Sequence, residues 1–167
     1  MEIRDINIKN NRYNYTISVC GKKEENYFLG LSFFESAKTL KDKPINKNFI
    51  NTIIPSIVCY SYAIEYLSCS ILDENKIDYP KSNQVHNLKF LFEKFPPKIR
   101  AEIIELYNSS HSNKNENFLQ LLDTHKATNN SWRYSFEIKH SNISFLHNYT
   151  CVLIEYIKNN YIKKTQV

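Results

Sequence analysis

Residues 48–72 read NFINTIIPSIVCYSYAIEYLSCSIL, an apolar segment with a single charged residue. A helix built from this segment carries apolar side chains on nearly all of its faces, so other elements have to surround it. Its small residues would let neighbouring helices approach closely: Ser61, Ala63, Ser68, Cys69 and Ser70. Pro55 either starts the helix or kinks it. We therefore predict that this segment forms the central, buried helix of the protein.

Amphipathic helical patterns flank the central segment on both sides. Apolar residues recur at three- and four-residue spacing within residues 28–40, 88–95, 99–107, 118–122 and 143–157. Pro44 stops the first pattern, and Ser82 or Asn83 can cap the helix that carries His86. Only two Gly and five Pro interrupt the 167 residues, which disfavours a sheet of many strands. We predict an all-α fold, one bundle of four to six helices.

The N-terminal segment shows a different periodicity. Tyr13, Tyr15, Ile17 and Val19 alternate with polar residues, a pattern typical of β-strands. We predict a short β-hairpin extension in residues 1–26, followed by the helical domain in residues 27–167. Because an isolated hairpin is marginally stable in water, one of its faces should lie on the helical domain or on a second subunit.

The amino-acid composition limits the kinds of partner and the cellular compartment that we expect for this protein. Lys and Arg outnumber Asp and Glu by 22 to 17, and the resulting charge of +5 is a weak indication of a polyanionic partner such as RNA. The four cysteines show no metal-binding spacing, so we interpret them as buried, reduced thiols of a cytoplasmic protein. No apolar run reaches the ~20 residues that cross a bilayer, and no Gly-rich phosphate loop or HExxH motif occurs. We expect no membrane partner, no metal and no cofactor.

Glu65 is the charged residue within the most apolar helix. A carboxylate in that position needs a hydrogen-bonded partner, because an unpaired buried charge costs several kcal/mol. The sequence offers Arg133, His86 or a tyrosine hydroxyl as that partner. Glu65 is then either part of a functional site or a structural tether between helices.

Arg133 and His140 form a second polar cluster near the C-terminus. On one continuous helix, residues seven positions apart share a face, separated by about 10 Å of rise and about 20° of rotation. Both side chains could then contact one phosphate, with arginine binding the charge and histidine acting as general acid or base. Such a pair also arises by chance in many helices. Trp132 to Ile162 form one helix or two, since Ser141 and Asn142 could cap a new helix or lie on the exposed face of a continuous one.

Four motifs in this order resemble the bacterial HEPN superfamily. They are Phe28-Leu29-Gly30-Leu31 with Glu35-Ser36-Ala37, Tyr60-Ser61-Tyr62-Ala63-Ile64-Glu65, His86-Asn87-Leu88 to Phe92, and Trp132-Arg133-Tyr134-x-x-Glu137. The resemblance covers residues 27–162. It implies a compact helical bundle that forms a homodimer. It also implies a metal-independent endoribonuclease, a toxin-like effector of an abortive-infection, toxin-antitoxin or other anti-phage system that works with a partner protein.

The same resemblance assigns roles to the polar residues. Arg133 would bind the scissile phosphate and His140 would assist attack by the RNA 2′-hydroxyl, with the site completed across the dimer. Glu65, His86, Tyr134 and Glu137 would form a supporting polar network. The chain departs from the family pattern in having six residues between Arg133 and His140, the upper limit, and in having Tyr134 where a polar amide or acid is usual. The alternative is a catalytically inactive HEPN-like module that dimerises and binds a partner protein or a nucleotide.

Overall fold

A computed structural model describes residues 22–42, 52–79, 86–110, 117–125 and 142–162. The six α-helices of these ranges are α1 (Lys22–Lys41), α2 (Ile53–Glu74), α3 (Leu88–Lys94), α4 (Pro97–Ser110), α5 (Phe118–His125) and α6 (Ile143–Ile157). A π-helical turn, Lys158–Ile162, extends α6. No strand occurs in the described ranges, and the predicted all-α bundle is confirmed.

The structure describes only residues 22–26 of the N-terminal segment for which we predict a β-hairpin. The period-two pattern of residues 13–19 lies outside the described residues, so the β-hairpin stays a prediction. The helix boundary differs from the expected one, because α1 begins at Lys22 rather than at Tyr27. Residues 22–26 therefore belong to the helical bundle. Glu24 and Glu25 favour this early start, since acidic side chains interact well with the partial positive charge of a helix N-terminus.

Helix α2 is the centre of the bundle, as its sequence predicts. Thirteen of its residues are buried, among them Tyr60, Ile64, Leu67 and Leu72, and they cover most of the helix circumference. The remaining side carries Cys59, Tyr62 and Tyr66, which are partly exposed. Helices α1, α3 and α6 all pack against it. Pro55 lies in its first turn, where a missing backbone N–H costs nothing, so this proline starts the helix rather than kinking it.

Helix α1 runs antiparallel to α2 at close range. Near one end the Asn26 amide donates to Asp73 at 2.8 Å, and near the other the Ser56 hydroxyl donates to the carbonyl of Ala37 at 2.9 Å. Gly30 lies between these contacts, and a Cβ atom on it would be only 2.7 Å from Cγ of Leu67. The absence of a side chain at position 30 is therefore what lets the two helices approach.

The second half of the core is an aromatic cluster contributed by α3, α4, α5 and α6. Its rings are Phe92, Phe95, Tyr107, Phe118, Phe145 and Tyr149. Phe118 is the common neighbour, with ring centroids 5.0 to 5.8 Å from those of four other members. This cluster fixes α5 between α3 and α6.

The start of α3 differs from the sequence-based expectation, whereas the start of α4 agrees with it. The side chain of Asn87 accepts a hydrogen bond from the backbone N–H of Phe90, so α3 is capped by Asn87 and not by Ser82 or Asn83. His86 consequently precedes the helix instead of lying within it. Pro97 is the first residue of α4, as its sequence predicts.

The last helix begins at Ile143. Its N-cap is Asn142, whose side chain accepts from the backbone N–H of Phe145 at 3.0 Å. Of the two possibilities for Trp132 to Ile162, a single continuous helix is therefore excluded. None of the described helices combines the length and the apolarity that crossing a bilayer requires.

Candidate functional site

The predicted site residues divide into two groups. Glu65 and His86 lie in the described chain, where they contact each other. Arg133, Tyr134, Glu137 and His140 lie outside the described residues, so their roles stay predictions.

Glu65 and His86 form a half-buried acid–imidazole pair. Nδ1 of His86 lies 2.9 Å from Oε2 of Glu65. The Glu65 side chain is 8% exposed, whereas that of His86 is 29% exposed. Of the three partners that the sequence offered for Glu65, the structure therefore identifies His86 as one that it uses.

This pairing controls which nitrogen of His86 is available for chemistry. An Nδ1–H that donates to the carboxylate leaves Nε2 on the other edge of the ring, and His86 makes no second hydrogen bond among the described residues. A carboxylate behind an imidazole fixes its tautomer and stabilises the imidazolium that forms when Nε2 takes a proton. The pair is thus built like the acid–base unit of a hydrolytic site, with a buried carboxylate and an imidazole that reaches the surface.

The histidine of the pair lies close to the end of α5. Helices α3 and α5 run antiparallel, because Lys89 contacts Asp123 at 2.7 Å while Phe92 contacts Phe118. The beginning of α3, next to His86, therefore lies beside the last turn of α5.

His125, the last residue of α5, connects the end of that helix to the start of α6. Its Nε2 accepts a hydrogen bond from the backbone N–H of Asn142 at 3.2 Å, and its ring stacks on Phe145 with centroids 5.3 Å apart. Burial lowers the pKa of His125 to about 4, so the ring is neutral at pH 7 and Nε2 can accept the Asn142 N–H. The residues that flank the segment 126–141 are therefore hydrogen-bonded to each other.

These contacts show where the segment with Arg133 and His140 begins and ends with respect to the Glu65–His86 pair. Segment 126–141, which contains Arg133 and His140, leaves the described bundle at His125 and returns at Asn142. The antiparallel packing of α3 on α5 places His86 beside the last turn of α5, where this segment begins.

Sequence reasoning did not find two of the polar clusters. No local sequence pattern marks His125, since its hydrogen bond with Asn142 forms only where the end of α5 packs beside the start of α6. The second cluster joins Tyr60, His147 and Cys151. The four-residue spacing of His147 and Cys151 was a usable signal, because residues at that spacing share a helix face.

The cysteines also differ from the prediction that they are buried. Cys69 is buried, but Cys59 and Cys151 are partly exposed, and Cys20 lies outside the described residues. Within the described ranges, no three His, Cys, Asp or Glu side chains come close enough together to hold a metal ion.

Known proteins add no further indication of function. No family model, curated protein or solved structure matches the chain.

Proposed function

We propose that the protein is a HEPN-type endoribonuclease that cleaves RNA without a metal ion, a toxin-like effector of a bacterial anti-phage or toxin-antitoxin system. The observation that supports this most directly is the Glu65–His86 pair, whose histidine lies beside the turn of α5 from which segment 126–141 continues. The order of the four motifs, the helical bundle and the net charge of +5 support it as well.

The reaction needs two proton transfers and a stabilised phosphate. A base removes the proton of the RNA 2′-hydroxyl, its oxygen attacks the adjacent phosphorus, and an acid gives a proton to the departing 5′-oxygen. We assign Arg133 to the charge on the phosphate and His140 to activation of the 2′-hydroxyl. His86 is suited to the second transfer, because Glu65 holds its Nδ1 and leaves Nε2 for the leaving oxygen.

A homodimer is part of this proposal. HEPN-type sites are completed across a dimer, so we expect Arg133 and His140 of the two subunits to face one RNA strand. A partner protein of the same defence system would then control access to the site.

The alternative is a catalytically inactive module that dimerises and binds a partner protein or nucleotide. The burial of Glu65 favours it, because a buried ion pair often serves to tie helices together rather than to catalyse. The two proposals differ in what the protein does to RNA.

The products of the reaction test the proposal. We would incubate the purified protein with labelled RNA in the presence of EDTA and analyse the ends of the fragments. Attack by the 2′-hydroxyl predicts a 2′,3′-cyclic phosphate on one fragment and a 5′-hydroxyl on the other. A matched RNA with a single 2′-deoxy nucleotide at the cleavage position should stay intact there. Cleavage that leaves 5′-phosphates or stops with EDTA would contradict the proposal, and intact RNA would favour the binding module.

A further inference from the structure

A chain of three polar side chains joins α2 to α6 away from the Glu65–His86 pair. The Tyr60 hydroxyl lies 2.9 Å from Nδ1 of His147, and Nε2 of His147 lies 3.7 Å from Sγ of Cys151. The imidazole is held on both sides, since Phe34 stacks on it at 5.6 Å and the Tyr60 ring meets it edge-on at 5.5 Å. These contacts fix the ring with one nitrogen toward the hydroxyl and the other toward the thiol.

The resting thiol is protonated. Burial raises the pKa of Cys151, and although Lys38 and Lys41 act to lower it, Glu155 acts in the same direction as burial. Because the thiolate is the nucleophile, a thiol of this kind needs a base within reach. Nε2 of His147 lies within hydrogen-bonding distance of the sulfur.

The imidazolium that forms when His147 takes the thiol proton has a hydrogen-bond acceptor at each of its two nitrogens. An imidazolium donates from both nitrogens, and here one N–H has the Tyr60 oxygen and the other has the Cys151 sulfur as acceptor. Burial raises the pKa of Tyr60 to about 12, so its hydroxyl stays protonated and serves as a neutral acceptor. The neighbouring Tyr60 therefore orients His147 without competing for its proton.

Cys151 also forms part of the wall of a groove. The groove has a volume of about 310 Å³ and is lined by Phe34, Cys151, Ile154, Glu155, Lys158 and Asn159. Phe34 and Ile154 give it an apolar wall, and its lining carries one positive charge, Lys158, and one negative charge, Glu155. Lys38 and Lys41 add two positive charges near the thiol. A small ligand with an apolar body and a negative charge fits this combination.

We propose that Cys151 is a nucleophilic thiol, with His147 as its base, that exchanges with small anionic disulfides bound in this groove. The thiol proton moves to Nε2 of His147, and the thiolate attacks one sulfur of the ligand disulfide. A new S–S bond forms between Cys151 and that sulfur while the ligand S–S bond breaks. Cys151 is oxidised to a mixed disulfide, the other half of the ligand is reduced to a thiolate, and the proton on His147 passes to that thiolate or to solvent.

Cys59 supplies a matched control. It is partly exposed like Cys151, and burial raises its pKa in the same direction, but it contacts no imidazole among the described residues. A difference in reactivity between the two thiols therefore reports on His147 and the groove rather than on exposure alone.

The test uses 5,5′-dithiobis(2-nitrobenzoate), an aromatic disulfide with carboxylates, on the folded full-length chain. We would follow release of the nitrothiobenzoate anion and assign the modified residue by mass spectrometry. We expect Cys151 to react at least ten times faster than Cys59, and His147→Gln to slow the reaction at Cys151 at least ten-fold in protein that stays folded by circular dichroism. Equal rates at Cys59 and Cys151, or an unchanged rate in folded His147→Gln, would overturn the proposal.

A second variant keeps the proposal testable if His147→Gln does not fold. Tyr60→Phe retains the aromatic packing and removes only the hydroxyl that faces Nδ1. We expect it to slow the reaction at Cys151 at least three-fold, whereas Cys59→Ser should leave that reaction unchanged. An unaltered rate in Tyr60→Phe would also overturn the proposal.

Discussion

At the scale of single residues, the burial of Glu65 explains why its carboxylate is paired. Glu65 is buried in the central helix and uses His86, a residue 21 positions later, as a partner. The sequence predicted that Glu65 needs a partner, since burial of a carboxylate can be inferred from the surrounding apolar pattern. The choice among Arg133, His86 and a tyrosine could not be predicted, because it depends on how α3 packs on α2.

The contribution of the Glu65–His86 pair to stability can be measured directly. We expect His86→Ala to lower the free energy of unfolding by about 1 to 3 kcal/mol, because it removes a hydrogen bond to a buried charged group. Lys89→Ala is the control, since its ion pair with Asp123 is exposed to solvent and should contribute much less to stability. Urea titration of both variants gives the comparison. Equal losses would mean that the burial of Glu65 does not strengthen its pairing with His86.

His125 gives the stability of the protein a pH dependence of known sign. Its pKa is about 4 in the folded chain against an ordinary value of 6.5, so the unfolded state binds the proton more readily. Its contribution is complete above pH 6.5 and is lost as the pH falls from 6.5 to about 4, by about 2 to 3 kcal/mol. His125→Gln keeps an acceptor for the Asn142 N–H and removes the titration. We expect a smaller loss of stability in this variant across that interval, and parallel pH profiles would contradict the assignment.

At the scale of helices, the central element was predictable and the shorter ones were predictable only in part. The apolar pattern of α2 is continuous, so its burial follows from the sequence alone. The start of α3 was not found, because Ser82, Asn83 and Asn87 are all good capping residues and only tertiary packing selects Asn87. The sequence alone does not determine the start of α6 for a similar reason, since Asn142 fits a cap and an exposed helix face equally well.

The close approach of α1 and α2 makes a specific prediction for Gly30. Alanine is intrinsically better than glycine in a helix by about 1 kcal/mol. At position 30, however, a methyl group would meet Leu67 at 2.7 Å, and overpacking of this kind costs about 1 to 3 kcal/mol. We expect Gly30→Ala to lower the melting temperature, whereas Ser32→Ala on the exposed face of the same helix should leave it nearly unchanged. A stabilised Gly30→Ala variant would show that the helices can separate without cost.

At the scale of the whole molecule, a helical bundle holds a half-buried acid–imidazole pair whose histidine lies beside the last turn of α5. That turn ends at His125, where segment 126–141 begins, and His125 is hydrogen-bonded to Asn142, where the segment ends. The bundle could be predicted from periodicity, while the position of the pair required knowledge of how α3 packs on α5. The proposed ribonuclease activity requires that Arg133 and His140 act together with the Glu65–His86 pair.

The most direct measurement is the initial rate of RNA cleavage in EDTA by the wild type, Arg133→Ala, His140→Ala and His86→Gln, each checked for folding by circular dichroism. We expect every one of the three variants to lose at least about a hundred-fold in rate, as the removal of an acid–base or charge-stabilising group predicts. Lys98→Ala is the control, because it removes one positive charge from an 87% exposed side chain on α4 and should cleave normally. Intact RNA with the wild type, or normal cleavage by folded Arg133→Ala, would contradict the assignment of this protein as a ribonuclease of this type.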